Sequence, residues 1–277
     1  MPPRRRRRED TPPLEYDQEK FCSPAAAKSF EKIGRRSLVP ERGVEFEEEV
    51  CEDLRYEVVR SEIIRRGWRK LADADSVGEV NSSIVYEYYA NFLSSNEDQA
   101  VFVRGQWVPS GEHDINALFN VPDYTIEEDE YFRLASSAEF EHTRVAETLG
   151  VLGTRFSTLS GVPKYLKRNQ LNPAAKAWLY FVSARLLPST HFTEIDVDRL
   201  KLVYAILTGL RINIGRIIRS SIRHSCRMTT TGGLGHGTFI TELCQAYGVP
   251  TFDTDVRSGQ KRPITKINDP YLPFPRN

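Results

Sequence analysis

The sequence predicts a mainly α fold: a single helical domain with a minor β-hairpin, set between disordered N- and C-terminal tails. Three observations carry this. Between Asn172 and Met228, three apolar runs recur at the three- and four-residue spacing of a helix face. Gly43 to Gly67 forms a further long amphipathic segment. Clear strand-like patterning is confined to Gln99–Val103 and Gln106–Val108, around Arg104-Gly105.

In chain order, residues 1–20 form a basic tail. Its prolines and the run Arg4–Arg8 lack apolar periodicity, so disorder is expected, and the arginines are a candidate nuclear-entry signal. The helical domain is expected over residues 21–250. It opens with a short helix, Pro24 to Lys32, capped by Ser23. In Gly43–Gly67, Phe46, Val50, Leu54, Val58 and Ile63 share one broad face. Glu45–Glu49 and then Arg65 and Arg66 complement the helix dipole at the two ends. Val77 to Ser94 carries the stripe Val80, Ile84, Tyr88 and Phe92, with Asn81 or Ser82 near its start and its tyrosines read as core and rim. A short helix is expected over Asp114–Phe119, and an acidic stretch, Asp123–Glu141, has a helix start near Glu127–Glu130. Periodicity does not decide Thr143–Leu152. Ser157–Leu171 reads as a loop or a short strand pair.

Asn172 and Pro173 begin a helix that Pro188 stops, with Trp178 on its buried side. Asp196 or Asp198 starts the second run, which reaches Gly209. The third run, Ile212 to Met228, places Ile214, Ile217, Ile218 and Ile222 on one side. Arg216, Arg219, Arg223 and Arg227 fall within about 80° of one another on the other. The glycine-rich Thr229–Gly237 reads as a flexible connector, because it lacks both the lysine and the preceding buried strand of a phosphate loop. A short helix, Thr238 to Tyr247, follows, and residues 251–277 form a proline-containing tail.

Hydrophobic content of 40% supports a packed core. No apolar run approaches bilayer length and no apolar segment follows the first arginines, so an intracellular protein is expected. Cys22, Cys51, Cys226 and Cys244 lack close pairing, and reduced thiols are expected. Net charge is zero but divided. Residues 1–141 hold 19 Lys and Arg against 30 Asp and Glu; residues 142–277 hold 19 against 8. Either the halves dock on each other or the basic half meets an outside anion.

His224, Cys226, His236 and Cys244 offer zinc-type ligands, but their separations match no compact zinc motif. Asp196, Asp198 and Glu242 are acids without the buried strands that a two-metal nuclease uses. No catalytic constellation, cofactor motif, metal site or small-molecule substrate is expected. The arginine row Arg216, Arg219, Arg223 and Arg227 is the candidate nucleic-acid-binding face, as phosphate suits guanidinium forks.

The blocks "LNPAAKAWLYFVSARLLPSTH" (Leu171–His191), "LVYAILTGLRINIGRII" (Leu202–Ile218) and "GGLGHGTFITELCQAYGVP" (Gly232–Pro250) resemble the putative plant transposon protein family. "RGW" (Arg66–Trp68), "VYEYYANF" (Val85–Phe92) and "VFVRGQWV" (Val101–Val108) resemble its earlier blocks. The resemblance implies a transposable-element origin and an architecture; it carries no established activity and no catalytic residues. The expected function is a non-catalytic assembly or nucleic-acid-associated module. Its partners would be nucleic acid or a second copy of the chain. The alternatives are a metal-dependent transposase- or nuclease-like enzyme and a degenerate remnant without function.

Overall fold

A computed structural model describes residues 16–44, 54–73, 77–95, 99–137, 140–228 and 232–259. Arg4–Arg8, Glu45–Glu49, Cys51 and the last proline-rich residues lie outside the described residues. Helix dominates what is described, and the strands form sheets of two or three.

Local capping explains most helix starts. In α1 (Pro24–Ile33) the Ser23 hydroxyl accepts from the Ala26 N–H. α2 (Leu54–Arg65) is followed by the single turn α3 (Arg69–Ala72). On α2, Val58 is 58% exposed, whereas Val59 and Ile63 are buried. The inward stripe is therefore four residues apart, one position out of phase with the expected Val58. Arg65 and Arg66 both pair with Glu62, and Arg66 also donates to the Ile206 and Leu210 carbonyls.

α4 (Ser82–Phe92) lies within the expected Val77–Ser94 segment and starts at Asn81 and Ser82 as expected, with the Asn81 side chain accepting from Ile84 N–H. The two residues before it, Val80–Asn81, are extended as β1. Ile84, Tyr88, Tyr89 and Phe92 are buried, so the tyrosine-rich helix is core. The hairpin of β2 (Ala100–Val103) and β3 (Gln106–Pro109) turns at Arg104-Gly105, both at positive φ, the mirror-image turn that fits strand twist. α5 (Glu112–Phe119), α6 (Glu130–Ser136, capped by Asp129) and α7 (His142–Leu149) follow.

Ser157–Leu171 resolves into β4 (Ser157–Leu159) and β5 (Val162–Lys167). A third strand, β6 (Glu194–Asp196), pairs with β5 and buries Ile195 against Leu166's side of the sheet. α8 (Pro173–Phe181) is capped by Asn172 and loosens into a π-helical turn, Val182–Leu186. α9 (Val197–Leu207) is capped by Asp196, and α10 (Ile214–Arg227) by Asn213. α11 (Gly237–Ala246) closes the described helices.

α4 packs against α1, α10, α11 and β2, while α9 packs against α6, α7, α8 and β5. The π-helical turn touches both α9 and α10, and buried side chains from Phe21 to Val249 form a contiguous hydrophobic cluster. Trp178 and Ile217 are both in it. Deep in this core, Arg185 donates to Glu41 at 2.6 Å and to the Leu71 carbonyl, and Glu41 also accepts from Thr238 N–H at 2.8 Å. Both charged side chains are at most 2% exposed.

The glycine-rich segment is no flexible connector where it is described. Leu234 exchanges backbone hydrogen bonds with Ser37 and Val39, and Tyr89 donates to the Gly235 carbonyl. A Cβ at Gly233 would sit 2.5 Å from Val39, and one at Gly235 2.6 Å from Pro188. Glycine serves close packing here.

Nor does the chain leave the fold at Pro250. β7 (Arg257–Ser258) pairs antiparallel with β1. Arg104 bridges Glu87 at 3.0 Å and Asp255 at 2.6 Å, and Asn81 also donates to Asp255. Hydrogen bonding from Arg104 holds the Asp255 carboxyl well below its usual range. Its stabilisation is therefore complete above the ordinary carboxylate range and is lost as pH falls through the lowered folded value. Asp255→Asn is expected to cost about 1.5–3 kcal/mol in neutral urea melts, the worth of hydrogen bonds to a charged group. A shift below about 0.5 kcal/mol would show that the C-terminal clasp is idle.

Candidate functional site

α10 has a sharply divided surface. Ile214, Gly215, Ile217, Ile218 and Ile222 are buried, and the four arginines occupy the opposite side. Gly215 lets α5 approach, since a Cβ there would collide with the Glu112 carbonyl oxygen. That approach decides the fate of the first two arginines. Arg216 pairs with Glu112 at 2.9 Å and with the buried Asp129, and lies over the Phe132 ring. Burial pushes the Asp129 carboxyl up, while the Phe132 N–H and Arg216 pull it back. Arg219 donates to the Ser110 carbonyl and lies over the Phe92 ring. Burial lowers its guanidinium's pKa.

So the row of four is not one free surface. Its N-terminal half ties α10 to α5, α6 and the end of the hairpin, as expected if the acidic half of the chain docks on the basic half. Arg223 and Arg227 are exposed and have no ion-pair partner among the described residues.

These two do not stand alone, because α1 lies beside the C-terminal end of α10. Lys28 and Lys32, one turn apart on α1, line a groove of about 270 Å³ with Arg36 and Arg227. Four of its lining residues are cationic and none is acidic. Arg36 is committed internally, donating to the Gly232 and Ser225 carbonyls at 2.7 Å each. Lys28 and Lys32 are exposed and, like Arg223 and Arg227, unpaired among the described residues. Sequence reasoning missed the lysines. They sit in a half of the chain with excess acid, and only tertiary packing brings them to α10.

On the other side of Arg36 and Met228 opens a larger cleft of about 710 Å³ between α6, the start of α9, the Leu187–His191 loop and α10. Three arginines (Arg36, Arg199, Arg216) and three aspartates (Asp129, Asp196, Asp198) line it, so its fixed charges balance. Serines from α10, Ser220, Ser221 and Ser225, supply hydroxyls along one wall.

Ser221 lies 3.0 Å from His236 Nε2, the arrangement of a nucleophile and its base. The electrostatics oppose that use. Burial, with a smaller push from Arg185, lowers the His236 pKa to about 3, and its buried Nδ1 meets no hydrogen-bond partner. A general base needs the reverse, a carboxylate that orients the ring and favours the imidazolium.

The other sequence candidates are dispersed. His224 faces the cleft, His236 and Cys244 are buried, and Cys226 donates weakly to the Tyr89 carbonyl. Burial raises the Cys226 thiol to about 12. Among the described residues, no three His, Cys, Asp or Glu side chains gather as ligands for one ion. Asp196 is occupied as the cap of α9 and by Arg199, while Glu242 lies 3.6 Å from Lys70. Cys22, Cys226 and Cys244 are free thiols.

Among the described residues no helix is long and apolar enough to cross a membrane. No curated protein and no solved structure matches the chain. Residues 64–250, more than half of its 277, match the family model described as "Putative plant retrotransposon-related domain". The matched span contains α10 and the glycine-rich segment but stops short of α1 and its two lysines. The chain belongs to the putative plant retrotransposon-related domain family.

Proposed function

We propose that this protein is a non-catalytic nucleic-acid-associated module that holds a phosphate backbone across the C-terminal end of α10 and the exposed side of α1. The groove between them supports this reading: it carries four cations and no carboxylate, in a chain whose net charge is zero. Three of the groove's cations remain for a partner, Lys28, Lys32 and Arg227, because Arg36 is committed internally; Arg223, exposed on α10 outside the groove, adds a fourth, while Arg216 and Arg219 serve the fold. Lysine and arginine from two helices would follow a backbone without reading bases, because phosphate contacts position but do not specify. Arg4–Arg8 would add to the same attraction and to nuclear entry.

The test is a salt titration. With four phosphate contacts, log K should fall against log salt with a slope of about −3.6 on duplex DNA and about −2.8 on an unpaired strand. Replacing Lys28, Lys32, Arg223 and Arg227 together with alanine should remove that part of the slope. Stability should change by only about 0.5 kcal/mol per site, as expected for exposed positions. Replacing Arg216 should do the opposite: stability falls and the slope stays. If the quadruple variant binds as tightly and with the same salt dependence as the parent chain, the proposed interface is wrong.

A further inference from the structure

We propose that this surface takes unpaired rather than duplex nucleic acid, with one base lodged in the large cleft while its neighbouring phosphates lie on the groove. The inference rests on the function proposed above. It starts from the fact that the two cavities are adjacent: Arg36 and Met228 line both. A strand held at Arg227 and Lys32 therefore lies beside Met228, an exposed residue that also lines the cleft.

The two cavities differ in chemistry as a nucleotide's two ends differ. The charged groups that line the groove are all cations. In the cleft every arginine is already engaged: Arg36 by the Gly232 and Ser225 carbonyls, Arg199 by Asp196, Arg216 by Asp129 and Glu112. No guanidinium is left unpaired for a phosphate, and Asp198, which has no ion-pair partner among the described residues, would repel one. What the cleft does offer is neutral or hydrogen-bond-accepting. Ser220 and Ser225 present hydroxyls, Asp198 an exposed carboxylate, and Leu38, Ile217 and Met228 apolar surface. A flat, uncharged group with polar edges and apolar faces fits that lining, and a nucleobase is such a group. At about 710 Å³ the cleft lies within the usual range of small-ligand sites, about 300–1,000 Å³. A base inside a duplex cannot reach such a cleft without being extruded from its stack, which costs free energy; a base in an unpaired strand is free to enter.

The experiment compares three labelled oligonucleotides of equal length by fluorescence anisotropy on the full chain: a natural single strand, an abasic strand with the same backbone, and a duplex. The natural strand should bind about tenfold tighter than the abasic one, the scale of one well-placed base contact. It should also bind tighter than the duplex. Ser220→Trp places an indole in the cleft from an exposed position of α10. In that variant the natural strand should fall to the abasic affinity, with abasic binding unchanged, which also reports that the variant is folded. Equal affinities for natural and abasic strands, or a duplex bound as tightly as the single strand, overturn the base site and leave the phosphate interface standing. Absence of binding to all three overturns both.

Discussion

Arg185→Leu is expected to remove about 3–5 kcal/mol of stability, because it leaves the Glu41 carboxylate buried without its cation. The pair is at most 2% exposed, at 2.6 Å, and its carboxylate also takes the Thr238 N–H at the start of α11. The deficit should depend on pH in a definite direction. Burial already raises the Glu41 carboxyl, and Arg185 opposes that rise. Without Arg185 the folded-state value climbs further. A carboxyl raised on folding is tolerated at pH below its unfolded value, and stability is lost as pH rises through the folded one. Urea melts should therefore show a smaller deficit at about pH 5 than at about pH 8. Removing both partners, Glu41→Leu with Arg185→Leu, should recover much of the loss, since well-packed apolar pairs replace buried ion pairs at little cost. A single variant as stable as the parent chain at both pH values would show that Glu41 does not need Arg185.

Trp178→Ala should cost about 3–5 kcal/mol, the range for deleting a packed core aromatic. Trp178 is 1% exposed and meets the Phe181 ring edge-on at 5.7 Å; Phe181 in turn stacks on Trp68 at 6.3 Å. The indole therefore backs the Phe181 ring that joins α8 to the turn between α2 and α3. The loss should appear as a lower denaturation midpoint with an unchanged slope. A change well under 1 kcal/mol would mean that neighbouring side chains refill the space.

Much of this architecture was legible from local chemistry. Ser23, Asn172 and Asp196 stand before apolar runs and do cap helices, and Arg104-Gly105 between strand-like residues does turn a hairpin. The strand Glu194–Asp196 was not legible, because three residues with one apolar member carry no period and only pairing with Val162–Lys167 makes them a strand. The glycine-rich segment misled for a related reason: glycine signals either freedom or close approach, and the neighbours that settle it, Val39 and Pro188, lie elsewhere in the chain. The candidate site was half legible. Helical geometry put four arginines on one side of α10, but which of them are engaged depends on Glu112, Asp129 and Ser110, about a hundred residues earlier. The lysines that join the free pair come from earlier still.

The bond between Glu41 and Thr238 also sets a clock. These residues are 197 positions apart. At about 5–20 residues per second, a ribosome takes roughly 10–40 seconds to produce the second after the first. During that interval Glu41 lacks Thr238, and Arg36 still waits for the Gly232 carbonyl. The N-terminal segment thus emerges long before the chain that will cover it, and its final position is among the last things synthesis makes available.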